Sequence, residues 1–459
     1  MPSINYKRLL KRMFCNKAFK FGAWRGYTII TYFTSMKKKY CFFIFMLLCC
    51  SAFAQTDSAV FFKFTTEQNR TKFYSNLIKN SINKNLSLPL TDSTEENWED
   101  AFSAMELIYY KQPWTNFKLK TAADSLVKRS PEFQRSCIEL LYATAQTAYS
   151  KQVDELFKTT VNGKILAMSA EYLLMADTSA GNKNYVTKTV SKKMNLLTHD
   201  EDFIVAVNLS KRLADLYQTK KMTAASFKPL FKQSYLKGNT IVYSIQRKNR
   251  DYTGMLIIKD TAGNFVTDAS GQIFTLPQLA RSLSNMPYYL TNGNTPQGIY
   301  RLFGFDKSRS NFIGPTENLQ LTMPGETSIR HFFKDSSITD TAWSPAWYQK
   351  LLPAALANYS PLYQSFNAGA AGRTEIIAHG TAVDVEFYKG QKYYPYTPTA
   401  GCLCTRELWN ADGKRIVSDQ QQLADAVKAA GGADGYLVVI ELNDVQKPVS
   451  LEDILPLLH

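Results

Sequence analysis

Residues 240–264 hold the runs Thr240-Ile241-Val242-Tyr243-Ser244-Ile245 and Met255-Leu256-Ile257-Ile258, followed by Thr261-Ala262-Gly263-Asn264. The two runs are β-branched or aromatic and the third supplies hairpin turn chemistry, so the chain changes to strands here. Upstream the texture is different. Residues 57–235 are rich in Leu, Ala, Lys and Glu, with apolar residues at helical spacing. Phe133, Cys137, Leu140, Leu141 and Thr144 form one such stripe, opened by Ser130 as N-cap and Pro131 at the first helical position. Phe203, Ala206, Val207, Leu213 and Leu216 form another. Cys137, on its apolar stripe, reads as a buried core thiol. Downstream, strands are expected at Gly298 to Phe303, Leu319 to Thr322, Thr374 to Ala378 and Tyr436 to Leu442. Helices are expected only at Leu276 to Ser284, Trp343 to Ala357 and Ser418 to Ala430. The expected fold class is α+β, with an all-helical N-terminal domain over residues 55–235 and a mainly β domain over 236–459. Strands that follow one another without regular helical crossovers argue against a parallel α/β fold.

Composition narrows the function. Of 459 residues, 45% are hydrophobic and 20% charged, the balance of a folded chain rather than a disordered one. The net charge of +15 is concentrated at the front, where residues 1–54 carry ten Lys or Arg and no Asp or Glu. Without that segment 44 basic residues face 39 acidic ones, so no nucleic-acid partner is expected. From Met36 the sequence runs Lys37-Lys38-Lys39, an apolar stretch from Cys41 to Cys50, then Ser51-Ala52-Phe53-Ala54-Gln55. That is the pattern of a secretory signal peptide, too short to span a bilayer as a helix. Residues 1–54 therefore read as an upstream extension plus signal peptide, with Met36 as initiator and cleavage after Ala54. A periplasmic or cell-envelope protein is expected, not an integral membrane protein once the signal is removed. Export leaves only Cys137, Cys402 and Cys404, too few for a disulfide framework.

The chemistry concentrates between His379 and Cys402. Ile376-Ile377-Ala378 leads into His379-Gly380-Thr381, a short apolar run whose end exposes an imidazole beside a glycine. Thr399-Ala400-Gly401-Cys402-Leu403-Cys404 follows an insert containing Tyr393, Tyr394 and Tyr396. A thiol beside a glycine can be approached closely by a substrate backbone and flanked by N–H groups that stabilise an oxyanion. If His379 folds back onto Cys402, the imidazole lowers the thiol pKa from about 8.5 and yields a nucleophile. Cys402 and Cys404 could also be half of a metal site, but four His in the chain and no second Cys pair leave zinc short of ligands. No metal and no cofactor is expected. A Cys402–Cys404 disulfide would be a strained, redox-labile mask. Of the other histidines, His331 is a less apt base because no glycine adjoins it, His199 reads as solvated at a helix start, and His459 as a frayed terminus. Tyr288, Tyr289, Trp343 and Trp347 read as core before groove.

His379-Gly380-Thr381 followed by Thr399-x-Gly401-Cys402-Leu403 resembles the signature of the L,D-transpeptidase catalytic-domain family. Upstream, Asn294-Thr295-Pro296-Gln297-Gly298 resembles that family's Thr-Pro-x-Gly segment, and Ile313-Gly314-Pro315 resembles a following turn. The resemblance covers roughly residues 240–445. It implies a cysteine-dependent acyltransferase acting on peptidoglycan stem peptides, with Cys402 and His379 catalytic, Gly401 and Gly380 shaping the oxyanion turn, and Thr399 and Arg406 binding substrate. The chain departs from the signature at Ala400, where many members carry His, and at Cys404, where Arg or Asn is usual. Arg406 stands close enough in sequence to supply the missing guanidinium. His379 would be oriented by a backbone carbonyl or by Asp384. The acceptor of the acyl group is an amine, giving a cross-link, or water, giving a carboxypeptidase. An alternative of a different class is a non-catalytic envelope protein that binds peptidoglycan through a degenerate domain of this kind. In either case the helical domain would bind an envelope partner.

Overall fold

A computed structural model of the protein describes residues 60–197, 200–217 and 223–458. The extension and signal peptide, His199 and His459 lie outside the described residues. Among the described residues no helix is long and apolar enough to cross a membrane.

The N-terminal region is helical, as its periodicity requires: α1 (Glu67–Asn76), α2 (Glu95–Leu107), α3 (Pro113–Asp124), α4 (Pro131–Ala143), α5 (Ser150–Thr159), α6 (Gly163–Ala176), α7 (Ala180–Lys193) and α8 (Asp200–Asp215). Ser130 caps α4, its Oγ accepting from Phe133 N at 3.2 Å, with Pro131 at the first helical position. Cys137 is fully buried on the inner face of α4, and burial pushes its thiol up to about 12. In α8 the buried face is Val205, Ala206, Leu209 and Leu213, whereas Phe203 is 46% exposed. The stripe is therefore rotated from the expected one, running through Val205, Leu209 and Leu213 at four-residue spacing with Phe203 off its edge.

Among the described residues ten strands follow: β1 (Thr240–Gln246), β2 (Gly254–Lys259), β3 (Leu276–Gln278), β4 (Gly298–Lys307), β5 (Glu317–Thr322), β6 (Ala378–His379), β7 (Leu403–Cys404), β8 (Glu407–Trp409), β9 (Arg415–Ser418) and β10 (Gly435–Glu441). Eight of them form one sheet in the order β3-β2-β1-β10-β4-β5-β6-β7, mostly antiparallel, with parallel pairs at β1–β10 and β6–β7. The sheet nearly closes on itself. Leu279, just after β3, exchanges both backbone hydrogen bonds with Cys404 at 2.8 Å, and Leu283 N donates to Thr399 O at 2.7 Å. One face packs Tyr300, Leu302, Leu319, Ala378, Leu403 and Leu437 against Leu423 and Val427 of α10 (Asp419–Ala429), the helix that follows α9 (Gln364–Ala370). The other packs Ile241, Tyr243, Ile299 and Val438 against Tyr348, Ile454 and Leu457. With both faces covered, β1 and β10 read as continuous apolar runs rather than alternating ones.

Three expected elements differ. Leu276 to Ser284 is extended, not helical, because Pro277 cannot donate and fits a strand at the end of the sheet order. Trp343 to Ala357 breaks into two single turns, Pro345–Gln349 and Ala354–Leu356, separated by Pro353. Of Thr374 to Ala378 only Ala378 pairs as strand.

The two regions share one apolar core. Met286, Tyr289, Leu290 and Phe312 from the β region pack within the helical cluster. At its centre the buried Glu171 carboxylate of α6 accepts from Arg212 Nε at 2.6 Å and from the Tyr289 hydroxyl at 2.8 Å. Tyr388 OH donates to Leu107 O at 2.7 Å, and Arg415 N donates to Val60 O at 2.9 Å. Removing the carboxylate leaves a guanidinium and a phenol unpaired, so Glu171→Ala lowers the unfolding free energy by about 3 kcal/mol in urea denaturation. Tyr289→Phe lowers it by about 1 kcal/mol. A Glu171→Ala chain as stable as the wild type would remove this contact as the link between the regions.

Candidate active site

The site is built where β6 and β7 run side by side. Ala378 pairs with Leu403 and His379 with Cys404, with Leu403 N donating to Ile377 O and Thr405 N to His379 O, both at 3.0 Å. In this register Ile377 stands opposite Cys402. Side chains alternate along a strand, so Cys402, Cys404 and His379 belong to one side of the pair, with Cys402 offset from His379 by two residues, roughly 7 Å. The sequence motifs separated by the tyrosine insert are thus neighbours in space.

The turn that carries Cys402 is tied from three directions. Thr399 Oγ1 accepts from Gly401 N at 3.0 Å and donates to Cys402 O at 2.8 Å, closing the turn from within. Thr295, of the Thr-Pro-x-Gly segment, donates its hydroxyl to Gly401 O at 2.8 Å. Arg373 lies beneath. Its guanidinium donates to Gly293 O at 2.9 Å, to Asn294 O at 3.0 Å and to Tyr288 O. Gly401 has φ +118°, and a Cβ there would overlap Arg373 Nη2 and lie 2.7 Å from Gly293 O. Only glycine fits, for both conformation and space.

Gly380 is required for a different reason. A Cβ on it would run into the Glu407 carboxyl, which is buried and fixed by Thr316 Oγ1 at 2.5 Å and Ser418 Oγ at 2.6 Å. Gln420, in the first turn of α10, ties the strands together. Its Nε2 donates to Glu317 O at 2.9 Å and Ala378 O at 3.2 Å, and its Oε1 accepts from Thr405 Oγ1 at 2.7 Å. Neither Arg373, Glu407 nor Gln420 stands out in the sequence, because each lies outside the two motifs.

Of the two orienting groups considered for His379, the structure uses a carbonyl. Nδ1 is 2.5 Å from Gly380 O. A carbonyl only accepts, so Nδ1 carries the proton and Nε2 is left with its lone pair. Nε2 is buried and has no hydrogen-bond partner. Asp384 instead pairs with Arg70 at 3.8 Å and accepts from Glu386 N at 3.2 Å. Burial lowers the imidazole to about 4, opposed by the Gly380 hydrogen bond. Cys402 is 7% exposed, and its Sγ lies 3.6 Å from Glu375 O. Burial pushes its thiol up to about 11, against the pull of the Ile377 N–H and the Arg373 charge. The resting pair is therefore two neutral groups with no hydrogen bond between them, in contrast to the lowered thiol expected from sequence. Desolvation outweighs the imidazole because that imidazole is uncharged.

Arg406 turns away from the thiol turn. It pairs with Asp419 at 3.3 Å, at the start of α10. Cys404 is buried beside Thr397, and Cys137, Cys402 and Cys404 are all free thiols. His331 stacks edge-on against Phe303 at 6.0 Å, Tyr289 is spent on Glu171, and Trp343 Nε1 donates to Thr327 O at 2.7 Å. Among the described residues no group of three or more His, Cys, Asp or Glu could hold a metal ion.

Comparison with family models, with curated proteins and with solved structures returned no match.

Burial raises the Glu407 carboxyl to about 7 from an ordinary 4.5, despite the Ser418 and Thr316 hydrogen bonds. The folded state thus holds this proton more tightly than the unfolded one, a stabilisation complete below pH 4.5 and lost as pH rises through 7. Urea unfolding across pH 4 to 8 checks this. Glu407→Gln matches the pH dependence of wild type except for this loss, and gains up to about 3 kcal/mol over it by pH 8. Parallel curves would contradict the assignment.

Proposed function

We propose that the protein is an envelope L,D-transpeptidase that acts on peptidoglycan stem tetrapeptides through a thioester on Cys402. The observation that carries this reading is the parallel pairing of β6 with β7, which sets a histidine with a free Nε2 lone pair and a turn-borne cysteine on one side of adjacent strands. The reaction uses both neutral groups as they stand. As Cys402 Sγ attacks the amide carbonyl of the third stem residue, Nε2 of His379 takes the thiol proton, so no thiolate need exist at rest. The Gly401 N–H is already given to Thr399, which leaves the Cys402 N–H to meet the developing oxyanion. Collapse breaks the C–N bond, the imidazolium passes its proton to the departing D-alanine amine, and the acyl group stays on sulfur. An amine of a second stem then attacks the thioester while His379 takes its proton and returns it to sulfur, forming a cross-link; water in the same place gives a carboxypeptidase. The chemistry needs no cofactor. Its partners are the stem peptides, and its place is the periplasm or envelope, where the leader directs it.

A second reading is a peptidoglycan-binding protein that has lost catalysis. The buried, high-pKa thiol favours it, as do Ala400 and Cys404 where the transpeptidase signature carries other residues.

Intact-mass measurement after incubation with a carbapenem under reducing conditions separates the two. The enzyme reading predicts one added drug mass on wild type, none on Cys402→Ala, an acylation rate reduced about 100-fold or more in His379→Ala, and no change in His331→Ala. A wild-type protein that stays unmodified, or an adduct that persists in Cys402→Ala, would sink it.

A further inference from the structure

Sequence proximity points to Arg406 as the guanidinium near the thiol, but the fold commits that residue to Asp419. A different arginine occupies that place. We infer that Arg373 is the positioning residue and counter-charge of Cys402, its buried guanidinium holding the Gly401 turn from beneath while facing the sulfur with a positive charge. The inference deepens the transpeptidase reading, on which the purpose of an activated sulfur rests, but the Arg373–Cys402 coupling itself can be measured without it.

Three observations converge. The first is contact: Arg373 Nη2 fills the space a Cβ on Gly401 would occupy, directly before the nucleophile in sequence. The second is connection. Arg373 lies six residues before His379 on the segment that leads into β6, and its guanidinium binds the Tyr288, Gly293 and Asn294 carbonyls. The adjoining Thr295 holds Gly401 O, so one side chain braces the His379 segment, the 288–294 loop and the Cys402 turn together. The third is charge. Arg373 is 7% exposed and its hydrogen bonds go to neutral main-chain carbonyls, with no carboxylate paired to it among the described residues. A buried cation is costly unless an anion compensates it. Burial lowers the arginine to about 10, opposed by Tyr300 and by Cys402. Tyr300 is a buried phenol that donates to Pro296 O and is held protonated, which leaves the Cys402 thiol, itself drawn down by the guanidinium, as the group that can supply the anion.

The charges around the sulfur are balanced against one another. Glu375 and Glu326 push the thiol up while Arg373 pulls it down. Glu326 also fixes the loop over Cys402, its carboxylate accepting from Glu375 N at 2.7 Å and Met323 N at 3.0 Å. His379 contributes no charge near neutral pH, since burial holds it at about 4, and Cys404 stays protonated at about 12. One cation and two carboxylates therefore act on the sulfur, and both the cation and Glu326 are held by main-chain hydrogen bonds.

Far below its pKa, a thiol is alkylated in proportion to its thiolate fraction, so the rate at fixed pH reads the local charge. The experiment measures iodoacetamide modification of Cys402 at pH 8 by peptide mass mapping, on the full chain, with folding checked by circular dichroism. Arg373→Met should slow modification about tenfold, the size expected for losing one nearby opposite charge. Arg373→Lys should keep a rate close to wild type, and Glu326→Gln should raise it. An unchanged or faster rate in Arg373→Met overturns the inference, as does a folded Arg373→Lys that falls as far as Arg373→Met. If Arg373→Met does not fold, Arg373→Lys decides: a folded lysine variant with its rate retained supports the charge role, and one with its rate lost overturns it. A carbapenem arm run in parallel keeps the two claims apart. Arg373-dependent alkylation in a protein that forms no drug adduct would discard the transpeptidase and leave the charge coupling standing.

Discussion

Two strands of two residues each carry the functional architecture. The pairing of Ala378-His379 with Leu403-Cys404 is too short to be stable by itself, and the surrounding structure holds it from every side. Gln420 bonds to β5, β6 and the end of β7 at once. Leu279 pairs with Cys404 on the far side and nearly closes the sheet. Arg373, Thr295 and Thr399 shape the turn before β7, and Glu407 packs against Gly380 after β6. The helical region braces the segments flanking this pair, through Tyr289 on Glu171 and Tyr388 on Leu107 O.

The electrostatics of the site follow from burial more than from pairing. A thiol and an imidazole near the protein interior each favour the uncharged form, so the resting site stores a proton on sulfur and a lone pair on Nε2. The buried guanidinium beside it is held by three main-chain carbonyls, which offset part of the cost of its burial.

Much of this was legible in the sequence. The change from 3.6-residue spacing to β-branched runs near residue 236 located the switch from helices to strands, and Ser130 and Ser418 marked helix starts that the structure uses as caps. His379-Gly380 and Gly401-Cys402 pointed to one place because glycine beside a reactive group signals close approach, and both glycines prove sterically obligatory. What sequence could not supply was partnership across distance. Arg373, Glu407 and Gln420 carry no local signature, since an arginine, a glutamate and a glutamine read as ordinary surface residues until the fold buries them. Arg406 looked closer to the thiol only because sequence separation stood in for space. Leu276 to Ser284 looked helical because its apolar residues suit either period, and only pairing of β3 with β2 decides between them.

The account stands or falls on register. Because side chains alternate, a slip of one residue between β6 and β7 would turn Cys402 to the face opposite His379. A crystal structure of the protein measures this directly. The account predicts Leu403 N on Ile377 O and Thr405 N on His379 O, with the Cys402 sulfur and the His379 ring on the same side and Arg373 beneath Gly401; a register displaced by one residue, with the two side chains on opposite faces, would contradict it.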